Sequence, residues 1–323
     1  MNKKEFVVSL CKAREKCGPS SATTHFMTIK RLYKILKNMD KKDPLTTIPK
    51  TGGWLTKRIF GKIKKLSLIT QRNLVTSALV YLQWTKAAKN KQKVFSTKMY
   101  DLVKLIREDT KKNKHKLSEK QKKMWATKEE LDSAYTPLLA DAQEILKKRK
   151  DLNKLEQRRI RDVVILSVHL GKGVPVPRLD WYSATWAKNH DGSNKTALFR
   201  KNGRWKVAYG GKTKSTYGVS TFTVGQPLAA LISKWFQKTG EIGQPVFLTD
   251  RNKPFTKGSY GDFVRRLLQK VYKRPITASF MRHLFVSHKY SNLPKILQEF
   301  AKDSLRMTHT ESVAKDVYLK APE

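Results

Sequence analysis

The chain has 323 residues, of which 68 are Lys or Arg and 26 are Asp or Glu, so its formal net charge is +42. Its ordinary apolar content excludes a disordered chain, and no apolar run approaches the roughly 18 residues that a membrane-spanning helix needs. A charge this large destabilises a compact chain by self-repulsion unless a polyanion neutralises it, and nucleic acid gains affinity from each phosphate contact. Nucleic acid is therefore the expected partner, and a membrane surface is the weaker alternative.

The charge is shared by two predicted domains, 1–115 and 116–323. The first holds 28 basic and 7 acidic residues and the second holds 40 and 19, so each carries +21. Their boundary is predicted in "KKNKHKLSEKQKKMW" (111–125), a polar and basic run without apolar periodicity. Both domains are expected to contact the polyanion, and the first has the higher charge density.

The first predicted domain is helical. "SSATTHFMTIKRLYKIL" (20–36) begins with Ser and Thr as cap candidates and then places apolar residues at helical spacing. "SLITQRNLVTSALVYLQ" (67–83) repeats this design, with Thr70 as a cap candidate. The pattern predicts a small helical bundle whose basic faces contact DNA.

The second predicted domain mixes helices with short strands. Its helices are predicted over 127–150, 156–171, 227–237, 258–273, 277–290 and 293–301, and its strands over 195–201, 204–210 and 218–224. The expected fold class is therefore α+β, mainly helical, with helices around one small antiparallel sheet.

The motifs of several common enzymes are absent from the sequence. It has no phosphate-binding glycine loop, no metal-ligand spacing of His, Cys, Asp and Glu, and no Gly-x-Ser-x-Gly elbow. The two cysteines, Cys11 and Cys17, have no ligand companions and suit a reducing compartment. What the second domain offers is scattered cations and a tyrosine, Tyr318, near its end.

Such groups suit metal-free chemistry on a phosphodiester. A tyrosine oxygen can attack phosphorus and form a covalent intermediate. Arginines bind the non-bridging oxygens bidentately and stabilise their added charge, while a lysine can protonate the departing 5′ oxygen. This chemistry predicts two arginines, a lysine, a histidine and a tyrosine.

Four short motifs supply these groups in one chain order. They are "PVPRLDW" (175–181), "GGKTKSTYG" (210–218), "SFMRHLFVSH" (279–288) and "MTHTESVAKDVY" (307–318), and the last has a His nine residues before a Tyr. In this order the chain resembles the tyrosine recombinases, or integrases, and most of its length is covered by the resemblance. The stretch "KLSEKQKKMW" (116–125) and the first motif most resemble the integrases of large DNA viruses of protists and their mobile elements.

The resemblance implies a role for each motif. It implies that 1–115 is a SAM-like core-binding domain and that 116–323 is the catalytic domain. By the same resemblance, Arg178 and Arg282 would bind the phosphate, Lys212 would be the general acid with Lys214 as the fallback, His309 would assist, and Tyr318 would attack.

Two departures from the family pattern affect these roles. Ser279 occupies the usual His position of the His-x-x-Arg motif, where it can donate to a phosphate oxygen but cannot act as a general base near neutral pH. His309 would therefore take more of the proton transfer. Pro177 replaces the usual Gly before the first arginine. Asp180 is expected to orient an arginine.

Other conspicuous residues favour structural roles. Trp181, Trp186 and Trp235 are expected in the core rather than as base-stacking platforms, and His283 and His288 are expected to fill a helix face.

The implied function is site-specific recombination or integration of double-stranded DNA through a 3′-phosphotyrosyl intermediate, without metal, ATP or other cofactor. Strand exchange implies a tetramer on DNA, in the nucleus, the cytoplasm or a viral factory. Two alternatives stay open: a type IB topoisomerase-like enzyme, and a non-catalytic basic nucleic-acid-binding protein.

Overall fold

The structure is a computed structural model that describes residues 1–14, 17–39, 47–113, 116–148, 151–190, 195–210, 221–293 and 296–297. Four predicted site residues lie outside the described residues: Lys212, Lys214, His309 and Tyr318.

The chain divides into two compact units, Met1–Lys116 and Leu117–Glu323. The assignment of 1–115 and 116–323 to separate functions stays a prediction. The boundary run is more ordered than its composition indicated. A short helix, Glu119–Met124, begins there with a Ser118 capping box, and Met124 is buried in the core of the second unit.

Helices alone build the first unit. They are α1 (Lys3–Ala13), α2 (Pro19–Lys37), α3 (Arg58–Ile63), α4 (Leu68–Trp84) and α5 (Lys89–Lys112), with a 3₁₀ turn at Gly52–Trp54. The predicted helices over 20–36 and 67–83 are confirmed, but their caps were wrong. Ser67 caps α4 by accepting from the Thr70 backbone N–H at 3.4 Å, and α2 begins at Pro19, after Gly18.

The second unit has six helices in its described part. They are α6 (Glu119–Met124), α7 (Lys128–Lys148), α8 (Lys154–Leu170), α9 (Leu228–Thr239), α10 (Lys257–Tyr272) and α11 (Ala278–Lys289). The α8 helix packs against α7, α9, α10 and α11. Every residue from Ile160 to Leu170 except Asp162 is buried, including the polar Arg161, Ser167 and His169, so this helix is buried on nearly all sides.

A small mixed sheet lies in the same unit, in the order β1 (Thr185–Trp186), β2 (Ala197–Lys201), β3 (Arg204–Ala208), β4 (Thr221–Thr223). The three predicted strands are confirmed. The prediction of a purely antiparallel sheet was wrong because β1 pairs with β2 in parallel, whereas β2–β3 and β3–β4 are antiparallel. With only two residues, β1 is too short for a period-2 pattern to be visible.

The predicted helix over 293–301 is only partly described. Leu293, Ile296 and Leu297 are helical and exposed. Across the described ranges, no helix is long and apolar enough to cross a membrane.

Candidate functional site

The loop that carries Arg178 begins at the end of α8. Gly171 ends this helix in a left-handed conformation, with φ of 72°. A Cβ at Gly171 would lie 2.5 Å from Cε2 of Phe285 and 3.1 Å from Cγ2 of Val176. Phe285 lies on α11 one turn after Arg282, and Val176 lies two residues before Arg178. Each predicted arginine is therefore within three residues of this one contact.

Two hydrogen bonds hold the first part of the loop. The Gly225 N–H donates to the Gly173 carbonyl at 2.7 Å, which fastens the loop to the chain between β4 and α9. The backbones are so close that a Cβ at Gly173 would collide with the carbonyl of Gly225. The Tyr209 hydroxyl, just after β3, donates to the Pro175 carbonyl at 3.2 Å. The loop is thus attached to the sheet three residues before Arg178.

A second attachment follows Arg178. The Thr196 hydroxyl donates to the Asp180 carbonyl at 2.9 Å and accepts from the Gly210 N–H at 3.3 Å. Thr196 is fully buried, so these hydrogen bonds are made in the protein interior. Arg178 therefore lies between two attachment points, at Pro175 and Asp180. We call the pair of hydroxyls that make them, from Tyr209 and Thr196, the loop clamp.

The loop clamp also forms a hydrogen bond with Gly210, the residue just before the predicted lysine segment. Gly210, which donates to Thr196, immediately precedes residues 211–220, where Lys212 and Lys214 lie. This segment connects β3 to β4, which are antiparallel neighbours. Thr196 thus bridges the Arg178 loop, at Asp180, and the first residue of the lysine motif, Gly210.

Tyr209 acts here as a neutral donor. Burial raises its pKa to about 12, and the nearby charge of Asp180 adds to the rise, while a hydrogen bond from Trp181 Nε1 at 3.5 Å lowers it. The hydroxyl therefore keeps its proton at physiological pH and donates to Pro175. A buried tyrosine of this kind is a structural group rather than a nucleophile.

The Arg178 side chain is exposed, and in the part of the chain that the structure describes no carboxylate pairs with it. Asp180 is buried. Its predicted role of orienting an arginine stays a prediction.

Ser279 and Arg282 lie on the first turns of α11, three residues apart. Thr277 caps this helix by accepting from the Phe280 N–H at 3.2 Å. Buried Phe280, Met281 and Leu284 fix the helix against the core. Ser279 is exposed and Arg282 is half-buried.

Arg161 shows how this unit uses an arginine structurally. It is 6% exposed, donates to Asp162 at 2.8 and 2.9 Å, to Asp250 at 3.0 Å and to the Leu248 carbonyl at 2.9 Å, and stacks on Phe263 at 4.6 Å. Within the described ranges, neither Arg178 nor Arg282 has such partners. In that part of the chain, no carboxylate neutralises either guanidinium group.

The predictions for the neighbouring aromatic residues divide. Trp181, Trp186 and Trp235 are buried in the core, as predicted. His288 is half-buried with its ring edge against Trp125, whereas His283 is exposed, so only His288 fills a helix face.

Among the described tyrosines of the second unit, Tyr290 is the most exposed, at 48%. It follows the last residue of α11, so eight helical positions, or about 12 Å along the axis, separate it from Arg282. Tyr290 is therefore poorly placed to attack a phosphate that Arg282 binds.

No sequence pattern predicted the loop clamp. Tyr209 continues an alternation with Trp205 and Val207, which marks it as buried but does not reveal its partner. Thr196 precedes β2 and has no pattern around it. In the described residues, no cluster of three or more His, Cys, Asp or Glu side chains could hold a metal ion.

Comparisons with known proteins leave the family open. No protein-family model, no curated protein and no solved structure matches this chain.

Proposed function

We propose that this protein is a DNA strand-transfer enzyme of the tyrosine recombinase type. The observation that carries the proposal is the arrangement around the end of α8. There a clamped loop presents Arg178, which has no carboxylate partner among the described residues, and α11 carries the half-buried Arg282 one turn before Phe285, which lies against the same helix end. Two arginines held on rigid supports suit the stabilisation of a pentacoordinate phosphate. The lysine motif begins at Gly210, which hydrogen-bonds to Thr196 of the loop clamp.

In the proposed reaction, Tyr318 Oη forms a bond to phosphorus, and the bond from phosphorus to the 5′ oxygen breaks. The phenol proton passes to His309, and Lys212 protonates the departing 5′ oxygen. Arg178, Arg282 and the Ser279 hydroxyl bind the non-bridging oxygens. A 5′ hydroxyl from a partner strand then attacks the 3′-phosphotyrosyl bond and releases Tyr318, so the number of phosphodiester bonds is conserved.

The charge of the chain supports double-stranded DNA as the substrate. Both halves carry +21, so a duplex can contact both. Strand exchange requires two duplexes with two cleavages in each, and a tetramer on DNA would supply the four nucleophiles. Arginines carry the charge stabilisation in this mechanism, so no metal or ATP enters it.

The test is covalent capture. The full chain is incubated in EDTA, without ATP, with duplexes that carry a nick one nucleotide from a candidate cleavage site, taken from DNA that flanks its own gene. The short 5′-hydroxyl product diffuses away, so the adduct accumulates and survives on a denaturing gel. The proposal predicts an adduct linked through the 3′ phosphate.

Three outcomes would contradict the proposal. Relaxation of supercoiled plasmid by monomers, without site preference or exchange, would favour a type IB topoisomerase-like enzyme. Tight, salt-dependent binding with no adduct on any substrate would favour a non-catalytic DNA-binding protein. An adduct that forms only with added metal would reject the arginine mechanism.

A further inference from the structure

The longest helix of the first unit, α5, carries a stripe of cations along one face. Positions spaced by three or four residues return to the same side of a helix, and seven of them here fall within an arc of about 80°. All seven side chains are exposed. We call them the α5 stripe: Lys89, Lys93, Thr97, Tyr100, Lys104, Arg107 and Lys111.

The stripe is directly opposite the buried face of α5. Phe95 and Leu102 point into the core of the unit and lie about 180° around the helix from the centre of the stripe. The stripe therefore faces solvent along its whole length. At the end of α5, residues 107–113 are all exposed, so the last two turns project from the unit.

The α5 stripe carries positive charges and no negative ones. Five of the seven stripe residues are Lys or Arg and none is acidic, whereas the acidic residues of the helix, Asp101, Glu108 and Asp109, all lie off the stripe. Within the described residues, none of the five stripe cations pairs with a carboxylate.

Two of the three lysines elsewhere on α5 have structural partners, and the third, Lys112, is exposed at its end. Lys91 Nζ donates to the Gly52 carbonyl at 2.7 Å, and Lys98 Nζ lies 6.0 Å from the centre of the Phe60 ring. In the described part of the chain, the stripe cations have no such partners. The stripe cations lie at the two ends of the stripe, and Thr97 and Tyr100 lie between them. Tyr100 is 66% exposed.

We propose that α5 lies in the major groove of duplex DNA, with the stripe against it. Lys93 and Lys104 are about 16 Å apart along the axis, so their side chains reach phosphates on both sides of a groove about 12 Å wide. Thr97 and Tyr100 then face the base edges. This assignment rests on the proposed function for its choice of DNA, but not on the chemistry of strand cleavage.

The shape of the helix favours B-form DNA over other polyanions. The major groove of B-form DNA admits an α-helix, whereas that of A-form RNA is too narrow. A helix that binds a membrane surface needs an apolar face free for lipid, and the apolar face of α5 is buried in the unit.

The first test measures the salt dependence of binding by the full chain to a 30-base-pair duplex. The stripe variant is Lys93→Gln/Lys104→Gln/Lys111→Gln. The matched control is Lys3→Gln/Lys4→Gln/Lys12→Gln, which removes three exposed lysines from α1. Loss of three phosphate contacts lowers the slope of log K against log salt by about 2.7 in the stripe variant, and the control changes it by less than about 1. Equal changes in the two variants would overturn the proposal.

The second test concerns the groove. Methylation of guanine N7 reports on the major groove and methylation of adenine N3 on the minor groove. The full chain should protect guanine N7, and Tyr100→Ala should lose this protection, with affinity for duplex DNA falling roughly fivefold or more. The same variant should bind duplex RNA as the unmutated chain does. Protection of adenine N3 alone, or equal losses on DNA and RNA, would overturn the groove assignment.

The two proposals fail separately. A stripe variant that keeps its binding while the adduct still forms would reject the α5 interface alone. Loss of binding in the stripe variant, in a chain that never forms an adduct, would support the interface and reject the catalytic function. Thermal unfolding of each variant should match that of the unmutated chain, because every changed side chain is exposed.

Discussion

The two compact units use polar side chains differently. In the described part of the first unit, Gln71 and Ser77 are the buried polar residues, and its cations lie outside an apolar core. Among the described residues of the second unit, six are buried: Glu156, Arg161, Ser167, His169, Asp180 and Thr196. Buried hydrogen-bonded groups are costly to misplace, and they fix geometry more strictly than apolar contacts do. In the described residues, the second unit therefore fixes more side chains by buried hydrogen bonds than the first unit does.

One buried histidine of the second unit has a structural role. His169 on α8 is fully buried beside Tyr260, and burial lowers its pKa to about 4. It therefore stays neutral at physiological pH, and its role is structural rather than in the proton transfer that we propose for His309.

The largest expected effect concerns Lys212, and it separates a proton donor from a binding lysine. Lys212→Ala should slow adduct formation by roughly 10²–10⁴-fold, because an alkoxide leaves poorly without a proton. A substrate with sulfur at the bridging 5′ position should restore the rate, since a thiolate leaves unprotonated. The measurement is the rate of adduct formation on both substrates.

Arg282→Ala serves as the control, because the sulfur substrate should not rescue it. Failure to rescue Lys212→Ala would make Lys212 a phosphate-binding or structural lysine. Applying the same substrate to Lys214→Ala would then show which of the two lysines is the acid.

The next effect distinguishes arginines that bind a ligand from one that holds the fold. Arg178→Lys and Arg282→Lys should slow cleavage by roughly 10²–10³-fold, because a point charge cannot bridge two phosphate oxygens. DNA affinity should change little. Arg161→Lys should instead lower the free energy of unfolding, since Arg161 makes four hydrogen bonds in the interior. Normal cleavage by both Arg→Lys variants at 178 and 282 would remove the arginines from the mechanism.

A pair of glycines tests whether α8 and α11 must fit closely. Gly171 and Gly203 have the same φ of 72°, but Gly203 has open space around its Cβ position. Gly203→Ala should cost about 1–2 kcal/mol in backbone strain. Gly171→Ala should cost a further 1–3 kcal/mol or so, because its Cβ meets Phe285. Denaturant unfolding of both variants measures the difference, and equal costs would mean that α11 yields freely.

The smallest effect is the most specific to the clamp. Thr196→Val keeps the volume but removes both hydrogen bonds, and should cost about 1–3 kcal/mol. Ser167→Ala removes an equally buried hydroxyl, which lies 2.6 Å from the Tyr135 hydroxyl, and should cost a similar amount. Only Thr196→Val should also slow adduct formation in conditions where both variants are folded. The same rate for the two would show that the clamp does not position Arg178.

Much of the fold follows from local patterns. Apolar spacing predicted α2, α4 and α7 to α11 to within a few residues, and short β-branched and aromatic runs predicted β2 to β4. The strand β1 was not predicted, because two residues are too few to show an alternating pattern. The short helix α6 was not predicted, because its sequence is mostly charged and contributes a single core residue, Met124.

The candidate site was less accessible to sequence reasoning. The family resemblance indicated Arg178 and Arg282, and the structure adds that neither has a described carboxylate partner. The loop clamp depends on side chains 14 to 34 positions from their partners. No local pattern encodes contacts at that range, because the intervening chain forms its own structure. The clamp therefore emerges only when the sheet and the loop are folded together.

The identity of the nucleophile is the central claim. The covalent adduct is purified and digested with nuclease and trypsin, and the nucleotide-linked peptide is identified by mass spectrometry. We predict that the nucleotide is attached to Tyr318, in the peptide of residues 316–320. Tyr318→Phe should form no adduct while binding DNA normally, and Tyr290→Phe should form as much as the unmutated chain. A nucleotide on any other residue, or an adduct that persists in Tyr318→Phe, would contradict the account.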